Sequence, residues 1–353
     1  MIIPRSSDRV MDNTDAPDLI VGAGPIGLAC AISALRRGRD PLVIDAGALA
    51  HSIVRYPIGM TFFTTPERLE IGNHPLVCAG QKATREEALK YYRGVARTEG
   101  IRVRPWTRLT GAARGPDRIQ ARLRTRLDEQ AVTCDRLVFA TGYFDFANRL
   151  QVPGEDLPHV SHWFDEPHLS HGQRVVIVGG KNSAIEAALL CFRAGASQVT
   201  LVHRGKQLKE SVKYWLSPDF TNRVKAGEIA ARFDSRVLAI DPEHVVIVNA
   251  EGRQEKLPAD RVYALTGYHP DFELFRSIGI RFDDATGRPV LNPETLETNV
   301  PGVYLAGSVT AGKHISEVFI ENGRFDGEKI FGDRASRELA ERQYSSTERP
   351  TGE

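Results

Sequence analysis

The fold is decided by Val21-Gly22-Ala23-Gly24-Pro25-Ile26-Gly27, which follows the apolar run Asp18-Leu19-Ile20 and opens onto Leu28-Ala29-Cys30-Ala31-Ile32-Ser33-Ala34-Leu35. An apolar strand, a glycine-rich turn and a strong helix former in that order form a dinucleotide-binding fingerprint. Gly22 allows the tight turn, Gly24 removes a Cβ where a pyrophosphate approaches, and Gly27 lets helix and strand pack closely. With Pro25 and Ile26 these residues are the expected phosphate cradle. The helix start adds free N–H groups and the positive end of its dipole. The next apolar run, Pro41-Leu42-Val43-Ile44, ends in Asp45. That acid follows Gly22 by about twenty positions, where a carboxylate bonds a ribose 2′-hydroxyl. An acid there repels a 2′-phosphate, so this site suits FAD or NAD.

The pattern returns at Val178-Gly179-Gly180-Lys181-Asn182-Ser183-Ala184, after Gln173-Arg174-Val175-Val176-Ile177 and before a helix from Ile185 to Arg193. Lys181 replaces the usual second glycine and brings a cation to the phosphate position. The following strand, Val199-Thr200-Leu201-Val202, ends in His203-Arg204 rather than an acid. A guanidinium binds a 2′-phosphate bidentately. Acid in the first site and base in the second assign FAD to the first and NADPH to the second. One fingerprint alone is weak, but two in one chain imply electron transfer between two nucleotides.

Length and composition bound the remaining classes. At 353 residues the chain is long enough for two domains. A net charge of +1 gives no field for nucleic acid or anionic membrane. No apolar run approaches the ~20 residues that span a bilayer. Residues 1–16 have no apolar core, do not read as a secretory signal, and are expected to be a disordered extension. Cys30, Cys78, Cys134 and Cys191 form no CxxC and no zinc spacing, so reduced thiols, a cytoplasmic setting and no metal are expected.

Arg136-Leu137-Val138-Phe139-Ala140-Thr141-Gly142-Tyr143 looks like the ATG segment of two-dinucleotide flavoproteins, with Thr141 and Gly142 against the cofactor. Val300-Pro301-Gly302-Val303-Tyr304-Leu305-Ala306-Gly307 resembles the strand that closes an FAD domain. Most of that superfamily continue with an Asp that holds the ribitol. Here Ser308 follows Gly307, and a hydroxyl bonds less strongly than a carboxylate. The fold expected is α/β, with two Rossmann-like units. A split FAD domain of residues 17–157 and 286–335 surrounds an NADPH domain of residues 158–285, and 336–353 form a flexible tail. A helix is expected from about Ile315. Its dipole, with Lys313 or His314, would stabilise negative charge on reduced flavin. In the loop 51–72, Tyr56, Phe62 and Phe63 either wall the isoalloxazine or belong to the core. Lys206, Lys209 and Lys213 form either a solvated face or a phosphate clamp.

Together these residues resemble the bacillithiol disulfide reductases (YpdA-type), thioredoxin-reductase-like flavoproteins that lack CxxC. The carrying segments include Ser52-Ile53, Thr61-Phe62-Phe63, Leu69-Glu70-Ile71-Gly72, Val152-Pro153-Gly154-Glu155-Asp156, Thr266-Gly267-Tyr268-His269-Pro270 and Phe319-Ile320-Glu321-Asn322-Gly323-Arg324-Phe325. The resemblance spans roughly residues 18–330 and implies an NADPH-dependent reductase of a low-molecular-weight disulfide. It also implies that the Lys181 variant and the missing flavin Asp are normal. One departure stands out. The family typically places Cys between the Pro and Gly of its first fingerprint, a thiol implicated in disulfide chemistry, and this chain has Ile26. Cys30 lies one helical turn later and is expected to be buried core. Other readings are a dithiol-free NADPH reductase of flavodoxin or ferredoxin, and a non-catalytic redox sensor. A monooxygenase is less supported, since no FxGxxxHxxxW-like signature occurs. The expected assembly is a homo-oligomer.

Overall fold

Alternating burial builds the first unit. In a computed structural model that describes residues 15–208, 212–314 and 317–346, Asp18–Val21, Pro41–Ile44, Arg102–Arg104, Arg136–Phe139 and Val303–Leu305 form one parallel sheet. Ile20, Val43 and Val138 face one core, and Leu19, Leu42 and Leu137 face the other. Apolar residues point both ways because a parallel sheet is covered on both faces. The helix Pro25–Leu35 is buried from Gly27 to Ala34, wedged between this sheet and the helix Asp326–Phe331. The sheet order runs Val303–Leu305, Arg136–Phe139, Asp18–Val21, Pro41–Ile44, Arg102–Arg104. The two ends of the chain thus share one sheet.

The second unit repeats the plan. Its parallel sheet runs Ala230–Arg232, Gln198–Val202, Arg174–Val178, Arg261–Ala264, Val160–Ser161. The helix Asn182–Arg193 covers one face. Each unit also carries a three-stranded antiparallel sheet, and a ribbon of Phe146–Ala147 against Tyr268–His269 joins the units. The architecture is α/β with two Rossmann-like units.

Four expected boundaries are corrected. Leu150, Val152 and Leu157 pack on the second unit's core, while Phe275 and Ile280 are buried in the first unit's core. The crossovers therefore lie at the ribbon near residues 147 and 268, not at 157 and 285. At the amino end, Asp15 bridges Thr133 and the Ala16 amide donates to Thr133 O at 3.0 Å, so these two residues are ordered; 1–14 lie outside the described residues. At the carboxyl end, Arg334–Ser346 is a helix docked by buried Ala340 and by a Lys329–Glu341 ion pair. The expected flexible tail is thus corrected for 336–346, and 347–353 lie outside the described residues. Among the described residues no helix is long and apolar enough to cross a membrane.

Candidate nucleotide and redox site

In the first fingerprint, glycine is required for two different reasons. A Cβ at Gly22 would lie 2.4 Å from Ala140 O, and one at Gly27 would lie 1.8 Å from Gly22 O. Gly22 also has a φ of 108°, which L side chains rarely adopt. Those two positions are fixed by the chain's own packing. A Cβ at Gly24 meets no atom within 4 Å. Nothing in the protein demands glycine there, so the open space beside it fits an approaching pyrophosphate. Gly24 caps the helix with no side-chain hydrogen bond, and Pro25 occupies its first turn. The Thr141 hydroxyl beside this turn is buried with no hydrogen-bond partner. An orphaned buried hydroxyl is costly unless a ligand satisfies it.

Asp45 stands at the end of its strand as expected. Its carboxylate accepts the Ala23 amide and the Gly47 amide, each at 2.8 Å. Burial raises its pKa, and those two amides oppose the rise. Asp45 therefore fastens the fingerprint turn and keeps free lone pairs for a ribose hydroxyl. Across the site, Gly142 and Ser308 adjoin: a Cβ at Gly142 would lie 3.9 Å from Ser308 Oγ. Ile26 reaches toward the backbones of Gly307 and Gly323, where added Cβ atoms would lie 3.1 Å from its Cγ1 and Cδ1. An isoleucine thus plugs the junction of the first helix with the carboxyl-terminal segment.

Sequence reasoning passed over Asp326. It is buried, and its Oδ2 accepts the Gly307 amide at 2.6 Å. Burial raises its pKa to about 7. The only available signal was an acid one residue past Phe319–Phe325. The raised value fixes a sign: the neutral form is favoured in the fold, and stability is lost as pH rises from about 4 through about 7. The loss is on the order of 3–4 kcal/mol. Asp326→Asn is expected to flatten the unfolding free energy over that interval in chemical denaturation, and an unchanged slope would contradict the assignment.

The second cradle is open at its rim. Lys181 caps the helix Asn182–Arg193 without a side-chain hydrogen bond, and Lys181 and Ser183 are exposed. Asn182 Oδ1 accepts the Lys213 amide at 2.8 Å. Ala184 is buried beneath Gly179. His203 is not on the rim. It is buried, and a Cβ at Gly180 would lie 2.1 Å from its Nδ1. Its ring fills the space left by Gly180 and Gly205, and this corrects the expected nucleotide contact. Arg204 remains, exposed, with no ion pair among the described residues.

The expected catalytic residues separate. Lys313 is exposed and donates to the carbonyls of Asp284 and Ala285 at 3.2 and 3.3 Å. His314 is 51% exposed and faces Glu317 at 4.0 Å. Neither is gathered into the site, because that turn folds back on the loop 284–287. The helix expected from about Ile315 instead begins at Ile320, with Asn322 Oδ1 accepting the Phe319 amide; Ile315 and Ser316 lie outside the described residues. Phe62 and Phe63 point oppositely because Thr61 pairs with Thr84 in an extended bridge. Phe62 is core, one of the two roles expected for it, and Phe63 is on the surface. Tyr56 enters an aromatic cluster with Phe62 and Phe144, and Phe144 touches Tyr268 at 4.5 Å. Burial raises the Tyr56 phenol, so it is a neutral donor at physiological pH. Arg55 lies 3.9 Å over Trp163, tying the units together beside this cluster.

Residues 19–307 match the family model described as pyridine nucleotide-disulphide oxidoreductase. The chain is 40% identical over 320 residues to the bacilliredoxin reductase Bdr of Bacillus subtilis, covering 91% of this chain and 98% of that one. The structure resembles the bacillithiol disulfide reductase Bdr (YpdA) from Bacillus cereus, with a TM-score of 0.88 at 36% identity, covering 93% of this chain and 99% of that one. The corresponding Staphylococcus aureus structure gives 0.85 at 36% identity, with the same coverage. The chain belongs to the bacillithiol disulfide reductase family of pyridine nucleotide-disulphide oxidoreductases. As a member of that family it is an oxidoreductase using FAD and NADPH.

The sulfur atoms of this family member lie away from the fingerprint turn or deep in the core. Cys30 is fully buried, and burial pushes its thiol pKa well up, with Asp326 and Glu328 adding to the rise. A buried, protonated thiol is inert. Cys134 and Cys191 are buried, and half-buried Cys78 donates to Gly80 O at 3.0 Å. Cys30→Ala is expected to keep nearly full turnover in steady-state assay. A mixed disulfide trapped on Cys30, with turnover lost in the variant, would overturn this.

Proposed function

We propose that the chain passes electrons from NADPH through FAD to the disulfide of a low-molecular-weight thiol, of the class to which bacillithiol disulfide belongs. The observation that carries this reading is the likeness, over 93% of this chain, to two bacillithiol disulfide reductases. The net reaction is NADPH + H⁺ + RSSR → NADP⁺ + 2 RSH. Bound FAD supplies the two-electron relay, and the chain supplies orientation and electrostatics. Gly22, Gly24, Pro25, Gly27, Asp45, Thr141, Gly142, Gly307 and Ser308 hold FAD. Gly179, Lys181, Asn182, Ser183, Ala184 and Arg204 hold NADPH. Tyr56 walls the isoalloxazine as a neutral phenol. Four cysteines without a disulfide among the described residues support a cytoplasmic setting.

Ile26 favours a second reading, reduction of a ferredoxin or flavodoxin, which needs no protein thiol. The test is anaerobic reduction by NADPH, then rapid mixing with disulfides, quinones, flavodoxin and ferredoxin. Fastest reoxidation by a disulfide is expected. Fastest reoxidation by a redox protein would favour the second reading, and flavin that NADPH reduces only slowly would indicate a sensor.

A further inference from the structure

An exposed patch where the units meet is unexplained by either cradle. Phe63 of the first unit packs on Trp215 of the second, with ring centroids 5.7 Å apart. Each is 38% exposed, although aromatic rings this large usually bury. Two ammonium groups share these rings. Lys213 Nζ lies 5.5 Å from the Phe63 centroid and 5.7 Å from that of Trp215, and Lys82 Nζ lies 5.2 Å from Trp215. Among the described residues neither lysine has a carboxylate within 4.0 Å.

The patch borders the chemistry on both sides. The Lys213 amide is held by Asn182 at the second cradle. The Lys213 ammonium feels the charge of Glu321, whose helix continues to Gly323 beside Ile26. Burial lowers the pKa of Lys213, as expected for an ammonium lacking a close counter-ion. A cleft of about 480 Å³ opens beside Lys82, lined also by Thr61, Gly80 and Glu87. The carboxylate of Glu87 is already occupied by the amides of Ala79 and Thr84, each at 2.8 Å. Those amides lower the Glu87 pKa and keep it ionised, so the two ammonium groups against this one carboxylate leave the patch with surplus positive charge.

We propose that Lys82 and Lys213, poised over Phe63 and Trp215, anchor the carboxylates of the electron acceptor. The rings hold the ammonium groups in place by cation–π attraction, and carboxylates complete them by charge-assisted hydrogen bonds. The proposal rests on the disulfide-reductase reading and names the residues that hold the substrate's carboxylates.

The test uses the FAD-loaded protein and compares oxidised glutathione, which is anionic, with cystamine, which is cationic. Lys82→Gln and Lys213→Gln are each expected to raise KM for oxidised glutathione roughly tenfold, to lower KM for cystamine, and to change kcat less than KM. Lys82→Arg is expected to restore most of the glutathione affinity. Equal changes for both disulfides would overturn the proposal. So would a rate of flavin reduction by NADPH that falls in step with KM, which would place the lysines on the nucleotide instead. If the wild-type protein reduces neither of these disulfides nor bacillithiol disulfide, the disulfide reading fails on its own. The patch is then judged with ferricyanide and hexaammineruthenium, anionic and cationic one-electron acceptors. The same opposite shifts support an anion anchor, and parallel shifts refute it.

Discussion

Gly24→Val is expected to give a folded protein without flavin. The three fingerprint glycines make this substitution informative. A side chain at Gly22 or Gly27 strikes backbone oxygens at 2.4 and 1.8 Å, so variants there lose the fold and the cofactor together. A Cβ at Gly24 meets no atom within 4 Å. Its bulk projects only into the space assigned to the pyrophosphate. The variant should therefore keep the circular dichroism and unfolding cooperativity of the parent while purifying colourless. Wild-type flavin content would show that the FAD phosphates lie elsewhere. An unfolded variant would show that the open space beside Gly24 serves packing.

Arg204→Ala is expected to weaken NADPH about 10- to 150-fold, the equivalent of roughly 1.5–3 kcal/mol for one charge-assisted contact. NADH, which lacks the 2′-phosphate, should be nearly unaffected. The structure narrows this prediction to one residue. His203 and Arg204 both follow the strand Gln198–Val202, yet the His203 ring is packed over Gly180, and Arg204 alone is exposed. Rapid-mixing measurement of flavin reduction with each nucleotide checks it. Equal apparent affinities of the wild-type protein for NADPH and NADH would refute the assignment, as would an unchanged preference in the variant.

The sequence made the two Rossmann-like units legible because strand, turn and helix are local, and glycine spacing reports backbone geometry directly. Asp45 was legible for the same reason, since strand length fixes its place. What escaped depended on contacts between distant segments. The crossovers were misplaced because Leu150 and Phe275 are unremarkable apolar residues whose partners lie in different cores. Asp326 was invisible because only folding brings it to the Gly307 amide. Lys313 and His314 were placed by expecting a helix at Ile315, whereas the described helix starts at Ile320. Phe62 and Phe63 are adjacent, and only the bridge of Thr61 to Thr84 sends one inward and the other toward Trp215.

Electrons are expected to leave this family member from flavin without passing through a protein thiol. Ile26 fills the junction at the fingerprint, and the nearest sulfur in sequence, Cys30, is buried with its pKa raised. Anaerobic titration with reductant tests this most directly, because it counts the electrons the protein stores. Uptake of two electrons per FAD is expected, with no change in the number of thiols that react with a labelling reagent. Uptake of four electrons per FAD, with two new reactive thiols, would reveal a redox-active disulfide and contradict it.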